Sequence, residues 1–385
     1  MTSEWRTIRA ADFIDFNPRL SLKKGDIATK VAMDKLKPFT KKIPETEKAE
    51  FNGGAKFCNG DTVMARITPC LENGKTAYVD MLDDGEIGFG STEFIVMRAK
   101  TGISDPQFVY YTAINPVFRN VAVKSMVGSS GRQRVQQSVL EELELSVPDL
   151  DEQRRIGDFL AKIDEKIALN DRINDNLLAQ AQTLYKQFFP YGVQDDLPDG
   201  WRIGTVGEII EIHDSKRIPL SGADRSKMEK KIYPYYGAAS LMDLVDNYIF
   251  DGKYLLLGED GTVVDDAGYP ILQYVWGQFW VNNHAHILTG RLGYDVESLY
   301  MLFKQTPVKS IVTGAVQPKI SQANLRSVQV VIPPEHNLRE YNDLVEPLFS
   351  LFRANEEECK TFTALRDTLL PKLMSGEIDV SAVQL

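Results

Sequence analysis

Two stretches of the chain place apolar residues at steps that alternate between four and three. This spacing is the heptad pattern of helices that pair along a narrow apolar seam. The seam of the first stretch consists of Ile156, Leu160, Ile163, Ile167, Asn170, Asn174, Leu177, Ala181, Leu184 and Phe188. A shift of 185 residues gives the second seam, which consists of Tyr341, Val345, Leu348, Phe352, Asn355, Cys359, Phe362, Arg366, Leu369 and Leu373. Asn170 and Asn355 hold the same position in the two seams, where a polar residue costs stability but fixes the register.

Each stretch predicts one long helix, and each helix needs a partner. A helix of about 39 residues is about 58 Å long. Leaving its stripe in water is costly, because burying one large apolar side chain is worth about 1.5–3 kcal/mol. The simplest partner of each helix is the other, in an antiparallel pair. Asp149 and Glu152 resemble a capping box at the first helix, Pro371 predicts a kink near the end of the second, and residues 375–376 predict its end.

The sequence that precedes each helix is repeated as well. "LEELELSVP" (140–148) and "LRSVQVVIP" (325–333) both alternate apolar and polar residues up to a proline, which predicts a short strand. The same shift of 185 places Arg134 on Lys319. Trp5 matches Trp201, while "NGDTVM" (59–64) and "TEFIVM" (92–97) match "DGKYLL" and "HAHILT" at a common shift of 192. The chain therefore consists of two related halves.

These patterns predict an α+β fold with an internal pseudo-twofold repeat. Two globular α/β parts, here called the heads, would be joined by two long antiparallel helices that form a coiled coil. The predicted divisions are a first head (1–148), a first helix (149–189), a linker (190–199), a second head (200–333), a second helix (334–377) and a tail (378–385). Two equivalent halves tend to meet through an approximate twofold. The heads would then lie at opposite ends of a rod, an arrangement suited to two separated pieces of one DNA duplex.

Composition narrows the class of protein. The 385 residues are 43% hydrophobic and 25% charged, which is ordinary for a globular protein. Apolar runs fall short of the roughly 18 residues of a membrane helix, and a secretion signal is not evident. Three cysteines are too few for a disulfide framework. We therefore expect a cytoplasmic protein. The net charge of −10 argues mildly against nucleic acid. However, residues 19–48 contain nine basic and four acidic residues, and residues 216–231 contain six and two.

Catalytic patterns in the sequence are weak. "INPVF" (114–118) lacks the second proline of an amino-methyltransferase loop, and we interpret it as a turn before a helix. "GFGST" (88–92) lacks the strand–loop–helix setting of a nucleotide site and is predicted to be a turn. His284 and His286 point to one face of a strand without an evident third ligand, and the acidic residues 258–268 lack the spacing of a calcium loop. We therefore predict no catalytic residue, no metal and no cofactor bound by this chain.

The order head, helix, head, helix resembles the DNA-specificity subunit of bacterial type I restriction-modification enzymes. "QPKISQANLRSVQVVIPP" (317–334), "LRDTLLPKLMSGEIDV" (365–380), "ARITPCLENGKTAYVD" (65–80) and "LPDGWRIGTVGEI" (197–209) are similar to stretches found there. The resemblance implies that each head reads half of a bipartite DNA site and that the helices set the spacing and dock two methyltransferase subunits. It also implies that S-adenosylmethionine and ATP act on partner subunits, including restriction and motor subunits, and that this subunit is not an enzyme. Members of the family often have a Glu-Gln pair shortly after the proline. The first repeat of this chain has it at Glu152-Gln153, whereas the second repeat has Asn337-Leu338 at the equivalent positions.

Lysine and arginine at phosphates supply most DNA affinity, whereas base edges are read by arginine, asparagine and glutamine. We predict that the phosphate contacts are made by Lys23, Lys24, Lys41, Lys42, Lys216, Arg217, Arg225, Lys230 and Lys231. The predicted loop-borne contacts in the first head are Arg66, Thr68, Asn73, Lys75, Ser129, Ser130, Arg132, Gln133 and Arg134. Those in the second head are Tyr235, Tyr236, Gln317 and Lys319. The alternative for each is an ordinary surface position.

Two other functions remain open from the sequence. One is a protein-only scaffold built on the coiled coil, and the other is a fragment of a DNA methyltransferase or nuclease. Residues 30–57 and 225–250 hardly match each other, although they occupy comparable places in the two heads. If the heads read DNA, we therefore expect two different half-sites separated by an unread gap.

Overall fold

A computed structural model describes residues 5–129, 131–314 and 316–380. The chain divides into two compact units, of which the first consists of Met1–Arg172 and Glu356–Leu385 and the second of Ile173–Asn355. Each unit therefore contains one head and a part of each long helix. Ser130 lies outside the described residues, as do the first four residues of the predicted first head and the last five of the predicted tail.

The first unit is built from short strands and helices. Its strands are β1 (Arg6–Arg9), β2 (Ile14–Phe16), β3 (Ile27–Val31), β4 (Glu47–Glu50), β5 (Lys56–Phe57), β6 (Thr62–Ala65), β7 (Thr76–Tyr78), β8 (Gly88–Gly90), β9 (Phe94–Ala99) and β10 (Glu144–Val147). Its α-helices are α1 (Ala10–Phe13), α2 (Pro106–Ile114), α3 (Pro116–Lys124), α4 (Gln137–Glu141), the beginning of α5 (Leu150–Phe188) and the end of the second long helix, and Met33–Lys35 forms a 3₁₀ turn.

The first head packs directly against the long helices of its own unit. Its strands form sheets in the orders β2-β9-β6-β7 and β4-β3-β8-β5, and β1 pairs with β10. The core combines side chains of the head, such as Phe13 and Phe108, with Ile156 and Leu160 of α5. Gln153 of α5 connects the helix to the head. Its side chain is fully buried and accepts a hydrogen bond from the backbone amide of Asp105, at the start of α2, at 3.0 Å. The head and the helices thus share one core.

The second unit repeats these elements. Its strands are β11 (Arg202–Thr205), β12 (Ile210–Ile212), β13 (Tyr233–Tyr236), β14 (Leu241–Val245), β15 (Phe250–Asp251), β16 (Tyr254–Gly258), β17 (Leu272–Val275), β18 (Gln278–Val281), β19 (Ala285–Gly290) and β20 (Gln329–Ile332). Its helices are the end of α5, α6 (Val206–Ile209), α7 (Gly222–Ser226), α8 (Val296–Phe303), α9 (Gln322–Ser327) and the beginning of α10 (Glu335–Met374), with 3₁₀ turns at Asp214–Lys216 and Lys309–Ile311.

Sheet topology confirms the internal repeat. The second unit has the sheet orders β12-β19-β16-β17, β14-β13-β18-β15 and β11-β20, which are those of the first unit with every strand number raised by ten. The register is preserved too. The pair Val63–Val96 becomes Leu255–Leu288 after the shift of 192 found in the sequence, and both are paired in the sheets. Because register fixes which side chains face the core, the sequence match reports one shared fold.

The two long helices run antiparallel within each unit, as the seams predict. In the first unit, Asp164 contacts Arg366 and Asn170 contacts Glu358, so residue numbers rise along α5 as they fall along α10. In the second unit, Asn355 donates to Asn174 at 2.9 Å and Tyr341 donates to the carbonyl oxygen of Ala181 at 3.0 Å. Neither helix is long and apolar enough to cross a membrane, nor is any other helix of the described ranges.

Several side chains off the predicted seam are buried as well. Along the two helices these are Phe159, Tyr185, Leu338, Phe349 and Leu370. A strict heptad seam is narrower than the stripe that a core-facing helix needs. These helices contact both each other and a head, so they bury a wider face than a coiled coil alone would require.

Three of the sequence-based predictions concern the ends of helices. Asn115 is a turn residue before a helix, as predicted, because its side chain accepts the amide of Val117 at 3.0 Å at the start of α3. At α5, Asp149 accepts the amide of Glu152 at 2.9 Å, as the predicted capping box requires, and the Glu152 carboxylate accepts from Arg155. α10 continues through Pro371 and ends at Met374, directly before Ser375 and Gly376 as predicted, and Gly376 has the positive φ of +74° that suits a glycine at a helix end.

The prediction of a turn at "GFGST" is wrong for its glycines. Gly88–Gly90 form β8, a fully buried strand that pairs with β3 and β5. A Cβ on Gly90 would lie 2.5 Å from the carbonyl oxygen of Val31, and one on Gly88 would lie 2.6 Å from the ring of Phe57. Glycine is present here because two neighbours approach the strand closely, a constraint that short sequence patterns do not reveal.

Candidate nucleic-acid interface

Arg134 joins the main loops of the first head. Its backbone bridges to Val127 and to Ile67. Its guanidinium donates two hydrogen bonds to the Glu93 carboxylate, at 2.6 and 2.9 Å. The bond from Arg134 holds the pKa of Glu93 below its usual range. This pair holds the loop that carries Gln133 against the start of β9, and the backbone bridge to Ile67 holds it beside the end of β6.

The second head contains an equivalent cation, Lys319. Its backbone bridges to Thr313 and to Asp260, in the same arrangement as that of Arg134. Its ammonium lies 3.2 Å from the Glu259 carboxylate. The alignment of Arg134 with Lys319 is therefore structural, and each head places one cation on a carboxylate at this position.

Residues Asp214, Glu259 and His286 form a compact acidic and histidine cluster in the second head, with ligand atoms within 4.8 Å of one another. Both nitrogens of the buried His286 ring face oxygens, namely Asp214 Oδ2 at 2.6 Å and the carbonyl of Ile320 at 2.8 Å. A carbonyl oxygen only accepts, so Nε2 carries a hydrogen, and Nδ1 is the ring nitrogen that faces the two carboxylates.

The same cluster already holds a cation of the protein. The guanidinium of Arg217 lies 2.5 Å from Glu259 and 3.4 Å from Asp214. Burial opposes ionisation of Asp214, but the hydrogen bond with His286 and the neighbouring charges hold its pKa below the usual value. We therefore interpret the cluster as an ion-pair network. The sequence missed it because its members are separated by up to 72 residues, and His284 bonds elsewhere, to Asp260.

The early basic run of the first head is divided between surface and core. Lys23 and Lys24 are exposed, and Lys42 is exposed but paired with Asp80. Lys41 is buried, with 6% of its surface exposed, and its ammonium donates to the Tyr111 hydroxyl at 3.3 Å. Burial lowers the pKa of Lys41 to about 8. The prediction that Lys41 contacts a phosphate is incompatible with this position, since its ammonium is enclosed by aromatic rings.

The second basic run is divided in the same way. Lys216 and Lys230 are exposed. Arg217 is held in the ion-pair network and Arg225 is held by Asp243 at 3.1 Å, with only 14% and 18% of their side chains exposed. Neither guanidinium is presented to a phosphate, which corrects the prediction for both. Lys231 also contacts Asp243, at 3.4 Å, but remains partly exposed.

Some of the loop residues predicted to contact DNA in the first head lie close together, and others do not. Thr68 binds the carbonyl oxygen of Gln133 through its amide at 3.0 Å and its hydroxyl at 3.1 Å, so Arg66, Thr68, Gln133 and Arg134 lie together. Asn73, Ser129 and Arg132 are exposed on neighbouring turns. The ammonium of Lys75 donates to the carbonyl of Met33 at 2.9 Å, which gives it a structural role.

In the second head, Gln317 and Lys319 share one exposed loop. Tyr236 is half-buried and packs edge-on against Phe279. Tyr235 is almost fully buried beneath Arg225, which corrects its assignment to the surface. Both tyrosines belong to strand β13, so the prediction that they are carried by a loop is wrong.

The Glu-Gln pair at the start of α5 faces inward. Gln153 is fully buried, and Glu152 is 7% exposed. Their counterpart at the start of α10 includes Leu338, which is also fully buried. The difference between these two positions therefore changes how each head is fastened to its helix, and it does not change an exposed surface.

Comparisons with known proteins agree with this architecture. A family model described as the type I restriction modification DNA specificity domain matches residues 3–179 and 198–358. The chain is 22% identical over 290 residues to the type I restriction enzyme MjaIX specificity subunit of Methanocaldococcus jannaschii, covering 67% of this chain and 66% of that protein. It is 33% identical over 126 residues to the EcoAI specificity subunit of Escherichia coli, covering 33% and 21%. The chain thus spans just under two thirds of the first relative and a fifth of the second.

A solved structure shows the same fold. The S subunit of a type I restriction-modification system from M. genitalium superimposes with a TM-score of 0.55 at 18% identity, and the match covers 96% of both chains. Together with the repeated sheet topology, the two family matches identify the chain, which belongs to the family of type I restriction-modification DNA specificity domains and contains one such domain in each half.

Proposed function

We propose that this protein is the DNA-recognition subunit of a type I restriction-modification complex and that each head reads one half of a bipartite site. The family match to both halves is the observation that carries the proposal. Each head places exposed polar and basic side chains on loops beside a rigid sheet, among them Arg132 in the first head and Gln317 in the second. Such loops suit recognition of base edges and phosphates.

The two half-sites should differ in sequence. Both heads share one strand topology, but their exposed loops have different side chains and lengths. Between β3 and β4 the first head has a 3₁₀ turn and a basic loop, whereas the second has the tight connection 237–240 between β13 and β14. A protein with two different reading surfaces recognises an asymmetric target.

The helices would set the distance between the half-sites and dock the partners. α5 contains 39 residues and α10 contains 40, which corresponds to about 58 and 60 Å. At about 3.4 Å per base pair, such a length spans at most about 17 base pairs. The half-sites would then be separated by an unread gap of several base pairs.

Chemistry would reside on partner subunits. Two methyltransferase subunits would bind S-adenosylmethionine and methylate adenine, and restriction subunits with ATP-driven motors would cleave unmodified DNA. This chain would contribute recognition and no catalytic residue. With a net charge of −10, tight binding to DNA would depend on those partners, because phosphate repulsion opposes association.

A salt-dependent gel shift tests the proposal. The full chain is mixed with host genomic fragments, alone and together with methyltransferase subunits from the same host. We expect sequence-specific retardation that weakens as salt rises, because released counterions drive binding to DNA. Loss of DNA binding in the presence of the partner would favour a protein-only scaffold. Methylation or cleavage by the purified chain alone would favour the enzyme alternative.

A further inference from the structure

An open cleft in the first head is lined by cations. It has a volume of about 580 Å³, and Asn17, Arg19, Lys56, Arg66 and Phe94 are among its lining residues. Three lining side chains are cationic, and within the described residues none of the lining positions is an aspartate or glutamate. A concave site with an uncompensated positive charge attracts anions.

Arg66 lies at the centre of this excess of charge. Its Nε is buried and has no hydrogen-bond partner among the described residues. The carboxylate of Glu93 is bound on both oxygens by Arg134, at 2.6 and 2.9 Å. Arg66 also acts on this carboxylate, whose single negative charge is already paired with Arg134, so the charge of Arg66 is left uncompensated beside those of Arg19 and Lys56.

The rim of the cleft is held rigidly. Asn17 accepts the amide of Val96 at 2.9 Å and donates to the Gln137 side chain at 2.6 Å. Lys56 donates to the carbonyl of Leu20 at 3.1 Å and lies over the Phe51 ring. Gly54 also lines the cleft, and a Cβ on it would lie 2.0 Å from the carbonyl oxygen of Gly90; its φ is +116°, so only glycine fits there. Lys56 is thus positioned before any ligand arrives, which reduces the entropy cost of binding.

The corresponding place in the second head is filled by the protein itself. The sequence shifts that relate the heads place Ile67 on Glu259, Phe94 on His286 and Pro18 on Asp214. These three residues of the second head form the ion-pair network, and Arg217 occupies it with bonds to Glu259 at 2.5 Å and to the carbonyl of Ala285 at 2.8 Å. The first head has uncharged residues at all three positions, so its cations remain available.

We propose that this cleft receives a phosphate of the DNA backbone between Arg19, Lys56 and Arg66, and that the second head has no equivalent phosphate site. The inference rests on the proposed function and deepens it, because the first head would then make a phosphate contact that the second head lacks. Arg66 supplies a fork of donors that suits phosphate oxygens. The almost fully buried Phe94 would lie beneath the anion as an apolar floor.

The test measures the salt dependence of binding to a duplex that carries the mapped target, using the complex with its methyltransferase subunits. Each neutralised phosphate contributes about 0.9 to the slope of log K against log salt. We expect Arg66→Gln to lower that slope by about 1 and to weaken binding equally for all sequences. Arg66→Lys, which keeps the charge, should retain the slope. Lys124→Gln, at the exposed end of α3 in the same head, is the matched control and should also retain it.

The outcomes separate the inference from the proposed function. Absence of salt-dependent DNA binding by the wild-type complex would overturn both. Wild-type binding with the same slope in Arg66→Gln would overturn the phosphate site alone. An unchanged slope with lost discrimination at one base pair would also overturn it, because Arg66 would then contact a base. Thermal melting of each variant shows that a changed slope reflects binding, since the Arg66 side chain makes no described hydrogen bond whose loss would unfold the head.

Discussion

The carboxylate of Asp164 on α5 lies 2.7 Å from the guanidinium of Arg366 on α10, and both side chains are almost completely buried. Tyr111 of the first head donates its hydroxyl to the other Asp164 oxygen at 2.5 Å. Burial opposes the charge of Arg366, but Asp164 more than compensates and raises its pKa. This pair connects both helices and the head in one polar cluster. The shift of 185 replaces it with Ala181 and Phe349 in the second unit, where an aromatic core takes its place.

Breaking the pair from one side should be costly. Asp164→Leu or Arg366→Met leaves a buried charge without its partner, and we expect each to lower the free energy of unfolding by about 3–5 kcal/mol. The double variant Asp164→Leu/Arg366→Met should recover most of that loss. Chemical denaturation of the four proteins forms a double-mutant cycle. The exposed pair Arg154–Asp151 is the control and should contribute less than about 1 kcal/mol. A coupling as small as that of the control would contradict a structural role for the buried pair.

Lys41 makes stability depend on pH in a defined window. Its folded pKa of about 8 lies below the ordinary value of 10.5 because the ammonium is buried. Between these values the unfolded chain binds more protons, so the Lys41 contribution to stability rises as pH rises. Lys41→Met should stabilise the protein at pH 7, by about 3 kcal/mol at most. Its advantage should shrink between pH 8 and 10.5. A gap between variant and wild type that stays constant across this range would show that Lys41 is not buried in its charged form.

Tyr341 tests the aromatic core of the second unit. Its ring is fully buried between Tyr185, Phe188 and Phe189. Tyr341→Ala should lower the free energy of unfolding by about 3–5 kcal/mol through the cavity it creates. Tyr341→Phe should cost about 1 kcal/mol, since it removes only the hydrogen bond to Ala181. Leu344→Ala, at an exposed position on the same helix, should change stability by less than about 1 kcal/mol. Equal effects of the two alanine variants would argue against this packing.

The length of the helices should control the gap in the DNA target. Removing one heptad from each helix, at matched positions of the seams, should keep the antiparallel pairing and shorten the unread gap by about three base pairs, from about 1.5 Å per residue and about 3.4 Å per base pair. Loss of DNA binding is the other outcome that we expect if the shortened helices cannot place both heads on the duplex. Methylation mapping provides the readout. An unchanged gap in a folded, active variant would refute the idea that the helices set the spacing.

The periodic parts of the fold were predictable, and the long-range polar contacts were not. The seams, the strand before each helix and the 192-residue shift between β6–β9 and β16–β19 depend on local patterns, which the sequence carries directly. Lys41 belongs to a basic run that resembles a surface, and its burial follows from three tyrosines at positions 78, 110 and 111. The ion pairs of Arg217 and Arg134 bridge 42 and 41 residues to Glu259 and Glu93. A single sequence gives no signal that would bring such partners together.

In some segments of the two heads, the repeat is visible in the structure but not in the sequence. Residues 30–57 and 225–250 hardly match, yet β3, β4 and β5 have the order and pairing of β13, β14 and β15. Strand pairing depends on the backbone and on a few buried side chains, so the exposed positions can diverge. That divergence is what two different half-sites require.

Mapping methylated adenines in cells that express this chain with its methyltransferase subunits tests the central claim most directly. The mapping is made for the wild-type chain and for a chain whose second head, residues 200–333, is replaced by that of a relative. We expect a bipartite, asymmetric motif with an unread gap, of which the replacement changes one half and retains the other. A continuous palindrome, or a replacement that changes both halves, would contradict the account.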